Sequence, residues 1–265
     1  MDKRLVYFLL RRPSSWLACT RVAWAMLCKR RQVTVARQGL RIQTRIGDGE
    51  GLFCAVAGTA YESEMDWFLN QMSAGQIFID VGANIGIYSL HASRRLNTSG
   101  KVYAFEPTPA TFEALTRNVQ LNRITNVECH KMALAERSGM LSLVVGNRPA
   151  SNSTSKVTGS SESGITIPAT TLDEFCETHS VAEVDFIKVD IEGGEFAFFK
   201  GGMRTLHKHK STILFESMHS GPSYPERDLL RELGYKLYFL KNNSLKELSA
   251  DSTFGANIIA MAYKK

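Results

Sequence analysis

From residue 76 onward, short apolar runs alternate with segments of helical period, and this alternation constrains the fold more than any other feature. IFIDV leads into IYSLHASRRL, KVYAFE into PATFEALTRNVQLN, and NVECHKMAL into a hairpin-like SGMLSLVVG. TLDEFCETH, a helix opening at a Thr171 cap, precedes the strands DFIKVDI, TILFES, KLYFLK and ANIIAMA. Runs such as residues 77–81 and 186–189 are apolar almost without interruption, as expected of strands covered by helices on both faces. Such alternation leads to right-handed crossovers and a mostly parallel sheet. KLYFLK and ANIIAMA, joined by NNSLKELSADSTFG, read as an antiparallel pair at one edge. The chain is therefore α/β, with a mostly parallel seven-stranded sheet.

Ahead of this core, residues 32–57 alternate apolar and polar around Gln38-Gly39 and Gly47-Asp48-Gly49. They read as a small antiparallel lead-in, QVTVARQGLRIQTRI then GLFCAVA. SEMDWFLNQM follows as a helix with Ser63 at its N-cap. Residues 147–163, NRPASNSTSKVTGSSES, have no hydrophobic period and are too polar for a core. They form a loop of unusual length, either disordered or a lid.

Charge is unevenly placed. Residues 1–45 carry eleven Lys/Arg against one acid, net +10, while the remaining 220 carry 21 basic and 25 acidic side chains, net −4. A mildly acidic main body is not a general nucleic-acid-binding surface. The apolar run at residues 5–10 makes a short h-region followed at once by Arg11-Arg12-Pro13, and residues 16–28 are interrupted by Arg21, well short of a membrane span. Trp16, Leu17, Trp24 and Leu27 opposed to Arg21, Lys29, Arg30 and Arg31 describe either a helix packed on the domain, the favoured reading, or an interfacial helix making peripheral membrane contact. The five cysteines, Cys19, Cys28, Cys54, Cys129 and Cys176, are scattered and form no C-x-x-C pair. That favours a reducing, cytoplasmic compartment.

In an open parallel sheet, ligands sit beyond the carboxyl ends of the strands, where strand order reverses. The first strand here ends at Asp80 and turns through Val81-Gly82-Ala83-Asn84-Ile85-Gly86 into a helix. Gly82 and Gly86 let the backbone turn sharply, and the helix N-terminus offers amide donors to an anion. The run lacks the first glycine of a dinucleotide fingerprint and carries an acid at the strand end. A carboxylate there repels a pyrophosphate but suits the ammonium of a methionine moiety, which favours S-adenosylmethionine over NAD. Glu106 closes the next strand, 26 residues after Asp80. It either accepts ribose hydroxyls or caps the helix after Pro107. In KVDIEGGE, alternation sets Lys188 and Asp190 on one face and Ile187 and Val189 on the other. A lysine and an aspartate in an apolar strand are costly to bury unless paired or used.

DVGANIG, FEP at 105–107, TLDEF at 171–175 and KVDIEGGE, in that order, resemble the FkbM family of methyltransferases. The resemblance covers about residues 60–240 and leaves out the first 45 residues and the serine-rich loop. It implies a Rossmann-like class I methyltransferase fold over residues 59–265, with residues 1–58 as a basic N-terminal helix and β lead-in. It also implies S-adenosylmethionine as cofactor and a hydroxyl on a sugar, polyketide or similar metabolite as acceptor. By position, Asp80, Gly82, Ala83, Asn84 and Gly86 line the methionine side, Glu106 and Pro107 the ribose, and the Met132-Ala133-Leu134 bend the adenine. Asp190 and Glu192 stand beside the methionine end and the acceptor.

Methyl transfer from a sulfonium demands alignment of oxygen, methyl and sulfur, and an attacking alcohol gains from losing its proton. His219, after TILFES, is the candidate base, against the alternative of a surface-loop histidine, and Glu216 falls near Asp190. Asp190, Glu192, Glu216 and His219 could alternatively hold a hard divalent ion. No regular metal spacing supports that, so no metal is assigned. The rival functions are a nucleic-acid methyltransferase using the basic arm, disfavoured for want of a base-holding N-P-P-Y-like motif, and a catalytically silent S-adenosylmethionine-binding protein. The acceptor expected is a small molecule or glycan, not nucleic acid.

Overall fold

The computed structural model describes residues 31–46, 49–60, 62–144, 164–191, 193–217, 224–250 and 256–262, with Thr20 and Ser252 besides. The alternating lead-in forms the antiparallel hairpin of β1 (Gln32–Arg37) and β2 (Leu40–Arg45), turning at Gln38 and Gly39, both at positive φ. GLFCAVA does not continue it as strand: it is the helix α1 (Gly49–Ala57). Every residue from 52 to 57 is buried, and a run covered on all sides carries no period that separates helix from strand. In α2 (Ser63–Asn70), Ser63 is the first helical residue rather than the cap. Glu62 holds the N-cap position, and the Ser63 hydroxyl donates to Glu64.

The main-sheet strands are β3 (Ile77–Val81), β4 (Lys101–Phe105) and β5 (Val127–His130). A small sheet of β6 (Ala133–Leu134), β7 (Gly139–Val144) and β8 (Gly164–Thr170) follows. NVECHKMAL is thus two strands in two sheets, and Gly139–Val144 pairs antiparallel with β8. The main sheet resumes with β9 (Phe186–Val189), β10 (Thr212–Ser217), β11 (Lys236–Lys241), β12 (Ser244–Glu247) and β13 (Ala256–Met261). The helices between are α3 (Ile87–Leu96), α4 (Pro109–Leu121), α5 (Leu172–Thr178), α6 (Glu195–Gly201), α7 (Met203–His209) and α8 (Pro225–Glu232).

The main sheet runs β12-β11-β13-β10-β9-β3-β4-β5. β10, β9, β3, β4 and β5 are mutually parallel, and β13 is antiparallel to both β10 and β11. β11 and β13 pair as read, but β13 lies inside the sheet. The edge belongs to an eighth strand, β12, formed by SLKE within the connecting segment. The turn at Asn242 and Asn243, both at positive φ, folds it back on β11. β12 is largely exposed, so it shows none of the apolar pattern that marks its neighbours.

Period-two alternation sends adjacent strand residues into two separate cores. Phe78, Val102 and Leu214 join Phe68, Leu90, Leu115 and the hairpin residues Val35 and Ile42 on one face. Ile79, Phe105, Ile187 and Phe215 join Phe175, Phe199 and Leu230 on the other. Asn118, fully buried on α4, accepts from the Gln43 amide at 2.8 Å and donates to the Ile85 carbonyl at 2.9 Å, tying the hairpin to the loop after β3. Among the described residues, no helix is long and apolar enough to cross a membrane.

Candidate active site

Strand order reverses at β3. The chain runs outward from β3 to β4 and β5, then returns to place β9 on the other side of β3. The carboxyl ends of β3 and β9 therefore meet at a topological switch point, the place where such sheets bind ligands. Gly82 and Asp190 meet there. Gly82 has φ +78°, and an added Cβ would drive into the Asp190 carbonyl oxygen. The amides of Gly82 and Ala83 both donate to the Phe105 carbonyl, at 3.0 and 2.9 Å, which fixes the loop against β4. Gly86 has φ +94°, and a Cβ there would lie 2.7 Å from Leu115 Cδ1.

Asp80 is fully buried at the end of β3, in register with Lys188 on β9. Its Oδ2 accepts from the Ser89 hydroxyl at 2.6 Å, while Oδ1 has no partner. Burial pushes the Asp80 carboxyl up, against the pull of Lys188. Lys188 is itself buried. Its Nζ lies 2.9 Å from Asp190 Oδ2 and 4.7 Å from the Tyr88 ring centroid, and the Tyr88 hydroxyl donates to Glu62 at 2.6 Å. Burial pulls the ammonium down, but Asp190, Asp80 and Glu62 outweigh it and hold the lysine above its ordinary value. Burial likewise raises the Glu62 carboxyl. One buried ammonium therefore faces three carboxylates, an excess of negative charge that a cationic ligand group relieves.

Glu106 follows β4 and is buried. Its Oε2 accepts from the Asn84 amide at 3.0 Å and Oε1 from the Thr108 amide at 2.9 Å. It thus braces both the glycine loop and the start of α4, whose N-cap is Thr108, with half-buried Pro107 between them. Burial pushes its carboxyl up to about 7, against the opposing pull of the Thr108 and Asn84 hydrogen bonds. Asn84 holds positive φ, and its buried Oδ1 has no partner.

The parallel register of β9 and β10 ends at Val189 opposite Phe215, so Glu216 falls next to Asp190 in the following row. Ala133 lies in β6, paired with Ala169, two strands of chain beyond Glu106. Glu192 and His219 lie outside the described residues, as do the serine-rich loop at 147–163 and the amphipathic stretch at 16–28 apart from Thr20. The Thr171 cap is as read, its hydroxyl accepting from the Glu174 amide at 3.0 Å.

Several site residues carried no signal on their own. Glu62 and Tyr88 reach the Lys188 cluster only through tertiary packing. Ser89, a polar residue one position past Tyr88 in an apolar helix turn, was the available hint for a partner of Asp80. Glu195, buried at the start of α6, accepts from the Gly193 amide at 3.2 Å and closes the loop after Asp190. At the end of β10, Ser217 donates to Glu226 at 2.6 Å and accepts from buried Arg227 at 2.8 Å.

Strand order and the glycine turn at the reversal point define a Rossmann-like α/β domain of methyltransferase topology. The chain belongs to the family of the methyltransferase FkbM domain, whose profile matches residues 80–237. It is 33% identical over 153 residues to the hexuronic acid methyltransferase AglP of Haloferax volcanii, covering 58% of this chain and 60% of that protein. It is 28% identical over 142 residues to Methyltransferase 1 of Beauveria bassiana, covering 46% of this chain and 57% of the relative. The chain therefore spans about three fifths of the length of these curated relatives. Among solved structures it is similar to methyltransferase FkbM from Methylobacillus flagellatus KT, with TM-score 0.46 and 15% identity, covering 81% of this chain and 55% of that one.

Proposed function

We propose that this chain is an S-adenosylmethionine-dependent methyltransferase acting on a hydroxyl of a sugar, glycan or comparable metabolite. The observation that carries the reading is the carboxylate cluster at the strand reversal, where Asp80 and Asn84 each present a buried oxygen with no protein partner. Such orphaned acceptors suit the ammonium of a methionine moiety. In this reading Asp80, Gly82, Ala83, Asn84, Gly86 and Asp190 hold the methionine end, Glu106 and Pro107 the ribose, and Ala133 the adenine side. Glu106 accepts two backbone donors, and a carboxylate with about four lone-pair sites retains capacity for ribose hydroxyls. When bound, S-adenosylmethionine supplies an electrophilic methyl on a sulfonium sulfur.

The chain's own residues then have three tasks. The Gly82 turn and Asp190 fix the position of the crevice wall, so that an acceptor oxygen is held in line. Asp190, Glu192 and Glu216 orient the acceptor. His219, two residues after β10, takes the hydroxyl proton as the new bond forms. AglP, named for a hexuronic acid, supports the sugar acceptor. The reading assigns activity to residues 59–265.

The test is a product-mass screen with an isotopically labelled methyl donor against hexuronic acid glycosides, neutral sugars, RNA and hydroxylated lipids. Label in a saccharide hydroxyl is the expected result; label in RNA alone would overturn the reading. With the acceptor known, His219→Ala should lower turnover by roughly a hundredfold.

A further inference from the structure

At the free edge of the main sheet, β5 carries Glu128 and His130 two residues apart on one face, and His179 at the C-cap of α5 stands beside them. One ligand-type atom from each of the three lies within 4.8 Å of the other two. Glu128 Oε1 is 3.2 Å from His130 Nε2, yet that buried nitrogen makes no aligned hydrogen bond. The separation is close to about 3.3 Å, the ligand–ligand edge of a tetrahedral site with bonds of about 2.0–2.1 Å.

Each side chain is already oriented. The His130 ring stacks on Phe105 at 4.9 Å and meets Phe175 edge-on at 4.9 Å, which fixes its plane. His179 Nδ1 lies 3.0 Å from the Phe175 carbonyl oxygen. A carbonyl only accepts, so Nδ1 carries the hydrogen and Nε2 keeps its lone pair for a ligand, the usual arrangement behind a metal-bound histidine. Lys101 Nζ holds Glu128 Oε2 at 2.8 Å, leaving Oε1 turned to His130.

We propose that Glu128, His130 and His179 bind a divalent ion of the borderline class, Zn²⁺ in the first instance, clamping the end of β5 to the C-terminus of α5. Two imidazoles and one carboxylate suit zinc, whereas Mg²⁺ and Ca²⁺ seek oxygen donors. Solvent completes the coordination. Glu128, His130 and His179 share no side chain with the crevice, although the His130 carbonyl accepts from the Glu106 amide at 3.1 Å.

The experiment is titration of the metal-free full chain with Zn²⁺ against a chromophoric chelator, with thermal melting in parallel. One Zn²⁺ should bind and raise the melting temperature. His130→Ala and His179→Ala should each weaken binding by roughly tenfold or more. Cys129→Ser, whose side chain points to the opposite face of β5, should bind like the parent. His179 is exposed, so its loss leaves folding intact and the comparison fair. Equal Zn²⁺ affinity in His179→Ala and the parent, or no Zn²⁺-dependent melting shift in the parent, would overturn the proposal.

Discussion

Lys188 Nζ lies 2.9 Å from Oδ2 of Asp190, the residue just past the end of β9, and faces Asp80 across the β9–β3 register. This one ammonium holds together the carboxylates on both sides of the strand reversal. Lys188→Met keeps length and apolar bulk but leaves buried Asp80 without a cation. Removing one partner of a buried charge cluster costs about 3–5 kcal/mol. Urea melts of the variant and parent near pH 7 measure the loss, and a change below about 1 kcal/mol, the scale of an exposed pair, would show the cluster to be self-sufficient.

Gly82 tests the geometry of the same junction. Alanine there is strained by the positive φ and collides with the Asp190 carbonyl oxygen, so the β3 loop and the end of β9 must separate. Gly82→Ala should destabilise by more than the roughly 1–2 kcal/mol of a left-handed residue alone. If the chain remains folded, turnover should fall by roughly a hundredfold, the effect of a displacement of about 1 Å at a reacting centre. Melting curves and turnover of the same preparation separate the two effects.

Glu106 gives the stability a pH dependence. Its carboxyl is raised to about 7 in the fold, against an ordinary value of 4.5. Between these values the unfolded chain loses the proton and the folded chain keeps it. Its contribution is therefore full below pH 4.5, declines as pH rises to about 7, and is level above. The shift corresponds to about 3 kcal/mol at most. Stability of the parent relative to Glu106→Gln, followed by urea melts in pH steps, should fall across that window.

His91 acts in the opposite sense. It is buried on α3, its Nε2 has no partner, and burial lowers its imidazole from 6.5 to about 4. The neutral ring is favoured in the fold, so its contribution is present above pH 6.5 and is lost as pH falls through about 4. His91→Phe should remove that acid sensitivity. Acid melts of the variant that track the parent would contradict the assignment.

Much of this arrangement is legible in the residues themselves. Glycines after an apolar strand located the reversal, and Asp80, Glu106 and Asp190 stood out because acids are rare at the ends of covered strands. The Thr171 cap was local chemistry and read correctly. What could not be read depends on contacts distant in sequence. GLFCAVA fits helix or strand until its neighbours cover every side, and exposed β12 exists only because Asn242 and Asn243 turn it onto β11. Glu62 and Tyr88 became site residues because α2 and α3 pack against β9, a relation no local pattern encodes. Glu106 also proved to brace the backbone amides of Asn84 and Thr108, contacts its place in the sequence did not reveal.

Calorimetric titration of S-adenosylmethionine into the chain and its Asp80→Asn variant tests the central claim most directly. Asn at position 80 keeps size and the Ser89 contact while removing the charge beside the orphaned oxygen. The account predicts one-to-one binding by the parent, and a loss of about 1.5–3 kcal/mol in the variant, which is roughly tenfold or more in affinity. No binding by the folded parent, or equal affinity in parent and variant, would contradict it.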